Sequence, residues 1–242
     1  MKRLYEKSEI GFAIMWIIIY VVGSSIADNV SLIIGIEKSV TFAWNVLLTV
    51  LLYRFVKKNE LLRYYGLCAS PYAAKKYMYF IPLIIIASVN LWAGASMNYA
   101  LHVTLFYAGS MVLIGFLEEL IFRGFLFKAM SKDNVRTAII VSSVTFGIGH
   151  IVNLLNGSEA DLLSNIRQVC YAIAIGFLFV ILFYRGKSLW PAIVTHSVFN
   201  ALHVFANEAP LHEHQLYISS ALIIISLSYA FFLMKTLRGR EA

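Results

Sequence analysis

Long apolar stretches separated by short polar segments recur along the whole chain. Eight such runs lie near residues 10–27, 40–56, 78–95, 103–128, 135–154, 167–184, 189–206 and 215–234. A helix needs about 20 mostly apolar residues to cross a bilayer. The pattern therefore predicts an all-α, polytopic membrane helical bundle of about eight transmembrane helices. The third and sixth runs stand out clearly. The seventh is the weakest, because Pro191, His196, Asn200 and His203 interrupt it. The basic start followed by apolar residues has the form of a signal peptide. Its apolar part is long and seven similar runs follow, so it reads as the first span.

Composition narrows the class. Of 242 residues, 60% are hydrophobic and only 14% are charged, against about 25% charged in an average soluble domain. A water-soluble fold of this size has too little interior for so much apolar surface. Disordered chains are polar and poor in aromatics, which excludes disorder as well. Eight spans leave no room for a second domain, so residues 1–242 read as a single membrane domain. Cys68 and Cys170 lie in or near apolar stretches and read as free thiols. Trp16 and Trp190 read as anchors at the membrane–water interface.

The charges test the span count. Cytoplasmic loops carry an excess of Lys and Arg. Here 18 of the 20 Lys and Arg fall before the first span, around the second, fourth and sixth loops, and in the tail; only Lys38 and Arg167 fall elsewhere. Eight spans with both termini cytoplasmic follow. The net charge of +7 then reflects membrane orientation and attraction to anionic headgroups, and calls for no nucleic acid. Residues 57–77 mix apolar and basic positions, which fits a surface-lying amphipathic helix or a plain basic loop equally well. Residues 155–165 and 207–214 read as polar external loops.

Ionisable residues inside spans are costly, commonly about 2.5–3.5 kcal/mol each at mid-helix, so those present carry information. The fourth run holds Glu118, Glu119 and Arg123. Glu119 and Arg123 are four apart and share a helix face, where they can pair. Glu118 lies about 100° round the helix from Glu119 and points elsewhere, so that pair does not neutralise it. The fifth run carries Phe146 and His150 on one face, with Gly147 and Gly149 between them to allow close helix approach. The seventh carries His196 and Asn200 one turn apart. Each group alone reads as an ion pair or an interhelical hydrogen bond. Together, two carboxylates, two imidazoles and an amide could converge on one wet cavity, where hydrolysis finds a base for water and donors for an oxyanion. The same His and Glu set could instead hold zinc with water in an open position.

At these residues the chain resembles the CPBP family, the CAAX-type prenyl endopeptidases and bacteriocin-processing enzymes also called Abi proteins. That family shows Glu-Glu-x-x-x-Arg, then Phe-x-x-x-His, then His-x-x-x-Asn or Asp. Here these are Glu118 to Arg123, Phe146 to His150 and His196 to Asn200, in the same order and on separate runs. The resemblance covers a catalytic core over roughly residues 100–206. It implies an intramembrane endopeptidase in which Glu118 activates water with help from His150. It further implies that His196 and Asn200 stabilise the oxyanion and that Glu119 and Arg123 form a supporting pair.

The expectations that follow are specific. The substrate is a membrane-associated peptide or protein, such as a bacteriocin or signalling-peptide precursor in a bacterial cytoplasmic membrane. No cofactor is expected, because a His-Glu-x-x-His helix is lacking; a zinc-dependent version would use Glu118, His150 and His196. The alternative from a different class is a non-proteolytic immunity or regulatory membrane protein of the same fold. A small transporter using Glu118 and His150 for proton coupling would require inverted repeats or interrupted helices, and the sequence shows neither.

Overall fold

Each of the eight apolar runs contributes helix to the fold. The computed structural model describes residues 1–152 and 162–237. A short α1 (Lys2–Lys7) leads into α2 (Glu9–Ile34) and α3 (Ser39–Lys58). After a long turn come α4 (Ile81–Ser88), α5 (Leu101–Glu118), a π-helical segment Glu119–Phe127 and the single turn α6 (Lys128–Met130). Next are α7 (Val135–Gly149), α8 (Leu162–Gly186), α9 (Trp190–His203), the short α10 (Glu208–Glu213) and α11 (Gln215–Thr236). No strand forms among the described residues, apart from one isolated bridge between Ala95 and Ala206. Among the described residues, six segments are long and apolar enough to cross a bilayer: Glu9–Ile34, Ser39–Lys58, Ala74–Leu91, Leu101–Met130, Leu162–Gly186 and Gln215–Thr236. The chain is a multi-pass integral membrane protein. The fifth and seventh runs give shorter helices of 15 and 14 residues.

Local chemistry explains the helix boundaries. Ser8 caps α2 by accepting the Gly11 N–H at 3.0 Å, and Gly35 ends it in the left-handed region at φ 80°. Asn134 caps α7 through the Thr137 N–H at 3.0 Å. Pro191 sits in the first turn of α9, where a missing N–H costs little.

The third run departs from the continuous helix expected over 78–95. It forms a 3-10 segment Ala74–Phe80, then α4, then a 3-10 turn Val89–Leu91. The cause lies in Pro82, whose ring would clash with the carbonyl of Met78 four residues back. The chain instead turns through Met78, Tyr79 and Phe80 at φ 48°, 51° and 61°. In hydrocarbon every backbone group needs a partner, and the Tyr77 carbonyl finds one in the Tyr229 hydroxyl at 2.8 Å.

The basic segments gather at one end of the bundle. Lys132 Nζ meets Glu9 Oε1 at 2.7 Å, and Lys128 Nζ lies 4.5 Å from the Tyr64 ring centroid. The Ser188 hydroxyl donates to the Cys68 carbonyl at 2.6 Å, and the Leu189 N–H to the Gly66 carbonyl at 2.8 Å. Residues 59–73 are therefore neither an amphipathic helix nor a plain basic loop. They form an irregular segment docked into the bundle by Tyr65 and Leu67, both buried. Burial pushes the Tyr65 hydroxyl far above the usual tyrosine range. Of the expected external loops, 155–161 falls outside the described residues, as do Arg238 and Arg240 of the basic tail. The rest of the first loop begins α8, and α10 occupies most of the second.

Two apolar cores flank the site. One joins Phe12, Leu52, Leu117 and Phe125 from α2, α3, α5 and the π-segment. The other joins Ile86, Phe179, Leu222 and Tyr229 from α4, α8 and α11. Helix α8 supplies residues to both. Trp16 belongs to the first core, 6.2 Å from Phe12, so it is not an interfacial anchor; Trp190 keeps an exposed ring. Both cysteines are free thiols.

Candidate active site

The site begins with a close approach between α5 and α9. A Cβ at Gly115 would lie 2.5 Å from both the backbone nitrogen and the hydroxyl of Ser197. Only glycine lets the two backbones meet this closely, and the Ser197 hydroxyl donates across to the Val112 carbonyl at 2.8 Å. One turn further along, the Glu118–Glu119 pair comes level with His196.

The imidazole of His196 lies between the two carboxylates. Its Nδ1 is 2.9 Å from Glu119 Oε1, and its Nε2 is 3.5 Å from Glu118 Oε2. This corrects the expectation that Glu118 points away from the Glu119 cluster. Two side chains that diverge by about 100° can still grip opposite edges of one ring placed between them. The same Glu119 Oε1 also receives Arg123 Nη1 at 3.1 Å. Both members of that pair are fully buried. The i, i+4 pairing expected from the spacing is present, and it extends to His196.

Arg123 is held largely by aromatic faces. Its guanidinium carbon lies 4.0 Å from the Phe146 centroid and 5.8 Å from that of Phe179. A planar, weakly hydrated cation suits such faces better than an ammonium would. Space for it comes from Gly176 on α8, where an added Cβ would come 3.1 Å from Arg123 Nη2.

Phe146 also spaces the histidines. The His150 ring meets it edge-on at 5.4 Å, and the His196 ring does so at 5.6 Å. The two imidazoles thus flank one phenyl ring. His150, His196 and Asn200 line a shared cavity of about 60 Å³, together with Gln168, Tyr171 and Phe199. His150 caps the end of α7, and its carbonyl accepts from Asn165 Nδ2 at 3.0 Å. Of the two glycines before it, Gly147 makes the close approach, to Ile173 and Val169 of α8. All six residues singled out by the sequence therefore belong to one neighbourhood. Three of them line the cavity, and Glu118 stands 3.5 Å from one of the three, His196.

Sequence reasoning missed one participant. Tyr20, in the middle of α2 and buried, donates its hydroxyl to Glu118 Oε1 at 2.7 Å. It is one of 14 tyrosines, and no local pattern marks it. The available signal was a hydroxyl in an apolar run, which in hydrocarbon must find a partner.

The zinc ligands expected from the sequence are Glu118, His150 and His196. Among the described residues, no three His, Cys, Asp or Glu side chains come together as a metal-holding group. Glu119 takes His196 Nδ1 at 2.9 Å, which leaves His196 Nε2 and Glu118 Oε2 3.5 Å apart, a separation that two ligands of one tetrahedral ion also have.

Comparison with known proteins bears on the same stretch. Residues 100–202 match the family model described as Type II CAAX prenyl endopeptidase Rce1-like. The curated proteins include one from Bacillus subtilis (strain 168), named "Putative membrane peptidase YdiL", that is 34% identical over 99 residues. That alignment covers 40% of this chain and 35% of the relative, so the chain spans about a third of the relative's length. No solved structure matches. The matched stretch contains Glu118, Glu119, Arg123, His150, His196 and Asn200; Tyr20 lies outside it.

Proposed function

We propose, from a core similar to the CPBP endopeptidases over residues 100–202, that this membrane protein hydrolyses peptide bonds of a membrane-associated peptide or protein. One observation carries the reading: a partly buried carboxylate, Glu118, stands 3.5 Å from an imidazole that a second carboxylate orients. Glu118 supplies a base for water, and Glu119 fixes the imidazole beside it. Glu118 Oε2 has no hydrogen-bond partner among the described residues, which leaves it an acceptor for a proton from water.

The chemistry balances without a cofactor. Water adds to the scissile carbonyl carbon and gives its proton to Glu118. The carbonyl oxygen becomes an oxyanion, facing His196 Nε2 and Asn200. Collapse breaks the C–N bond, and the proton on Glu118 moves to the leaving amine. Glu119 fixes the His196 ring through Nδ1, and Arg123 balances the charge of Glu119. His150, on the far side of Phe146, borders the same cavity and assists the water.

The gathering of basic segments at one end of the bundle supports placing that end, with both termini, in the cytoplasm. His196 lies six residues from the start of α9, about 9 Å in from that end. A peptide on the inner leaflet reaches such a depth more readily than one outside. A maturing signal or bacteriocin precursor has this character.

The test is cleavage in proteoliposomes, comparing wild type with Glu118→Gln on a panel of membrane-associated peptides, with products read by mass spectrometry. Cleavage by the wild type, with only a small residual rate from Glu118→Gln, is expected. Equal cleavage by both would remove Glu118 from the mechanism. A Glu118→Gln protein that keeps full activity in cells would favour a binding role instead.

A further inference from the structure

A general base must present one oxygen to water in a fixed direction. Glu118 has two oxygens, and they are treated differently. Oε1 accepts the Tyr20 hydroxyl at 2.7 Å. Oε2 faces His196 Nε2 at 3.5 Å and has no hydrogen-bond partner among the described residues. A carboxylate at mid-helix can otherwise rotate about its terminal torsion, which is broad and two-fold, and so exchange the two oxygens. A hydroxyl bonded to one of them stops that exchange.

The surroundings make Tyr20 a rigid support. Its side chain is buried within the core that contains Phe12, Trp16 and Leu52. Helix α2 packs along the π-segment that begins at Glu119. The tyrosine comes from the amino-terminal part of the chain, whereas the other site residues lie between 118 and 200.

We propose that Tyr20 is a positioning residue for Glu118: its hydroxyl occupies Oε1 and so reserves Oε2 for the reacting water. This rests on the endopeptidase reading for its kinetic content, and on the geometry alone for the contact. Tyr20 donates and keeps its own proton, so no net proton transfer involves it.

The experiment compares wild type, Tyr20→Phe, Glu118→Gln and the double variant in proteoliposomes. Cleavage kinetics and the infrared carboxylate bands are measured on the same samples. Tyr20→Phe is expected to lower kcat about tenfold, the scale of one charge-assisted hydrogen bond, with KM unchanged. In the Glu118→Gln background it should cause no further loss, since its effect passes through that carboxylate. The carboxylate band that Glu118→Gln removes should be displaced in Tyr20→Phe. A structural role would lower the residual rate of Glu118→Gln as well and leave the band in place; either result in a folded protein overturns the assignment. Should Tyr20→Phe unfold, 3-fluorotyrosine at position 20 keeps the shape and strengthens the donor. An unmoved band would then overturn the proposal. A displaced band in a wild type that cleaves nothing on the panel would sink the endopeptidase reading, and with it the kinetic role of Tyr20, while the contact stands. Cleavage that needs Glu118 but is indifferent to Tyr20→Phe would sink the Tyr20 role alone.

Discussion

The guanidinium of Arg123 rests 4.0 Å from the ring centroid of Phe146, and both side chains are buried. The same cation pairs with Glu119, which in turn holds His196. Removing Arg123 therefore strands a buried carboxylate. We predict that Arg123→Met destabilises the protein by about 3–5 kcal/mol, measured as a lowered unfolding midpoint in detergent. Arg123→Lys should also lose stability, because a compact ammonium neither stacks on the ring nor reaches as a planar fork. A wild-type midpoint for Arg123→Lys would contradict this account of the stack.

His196 and Asn200 are expected to separate under mutation. Both line the cavity, and the proposed mechanism uses each as an oxyanion donor. Asn200→Ala should lower kcat by about 10²–10³-fold at a near-wild-type unfolding midpoint. His196→Ala should lower kcat at least as much and also lower the midpoint, because Glu119 loses a partner at 2.9 Å. Matching midpoints for the two variants would count against the clamp on His196.

Gly115 sets the distance between α5 and α9. An added methyl would meet Ser197 at 2.5 Å. Gly115→Ala should cost about 1–3 kcal/mol and lower activity by moving His196 away from the glutamates. Gly149→Ala is the control, since among the described residues nothing lies within 4 Å of its Cβ. Thermal melts and cleavage rates of the pair give the comparison; equal behaviour would mean that the α5–α9 spacing is not limiting.

The segment 59–73 should behave as part of the bundle. Tyr65 is buried, with its ring 5.0 Å from Phe125. We predict that Tyr65→Ala costs about 3–5 kcal/mol, the range for large aromatic truncations, and opens the segment to limited proteolysis from the side bearing the basic loops. Protease resistance unchanged from wild type would argue against docking.

The sequence made the class and most of the site legible, for physical reasons. Apolar runs long enough to span are hard to disguise, and charges within them are too costly to be casual. This is why Glu118, Glu119, Arg123 and the two histidines stood out before any fold was known. Their mutual geometry was less legible. Helical spacing separates Glu118 from Glu119, but it cannot show that a ring from α9 lies between them. Tyr20 was invisible, because a tyrosine in an apolar run is unremarkable until its hydroxyl has an address. The third run kept its place as a span but not its continuity, because Pro82 goes with a left-handed turn through Met78, Tyr79 and Phe80 that hydropathy does not register.

Helix α9, which carries His196 and Asn200, is 14 residues long and so about 21 Å from end to end. The hydrocarbon layer is about 30 Å thick. One face of α9 is open to the surroundings at Trp190, Val194 and Val198. A short apolar face draws the bilayer thinner around itself, at a modest cost per ångström. The headgroup region, and the water it carries, is thereby brought nearer to His196 and Asn200. In the proposed endopeptidase, the mismatch between one helix and its membrane becomes a supply route for the water that hydrolysis would consume.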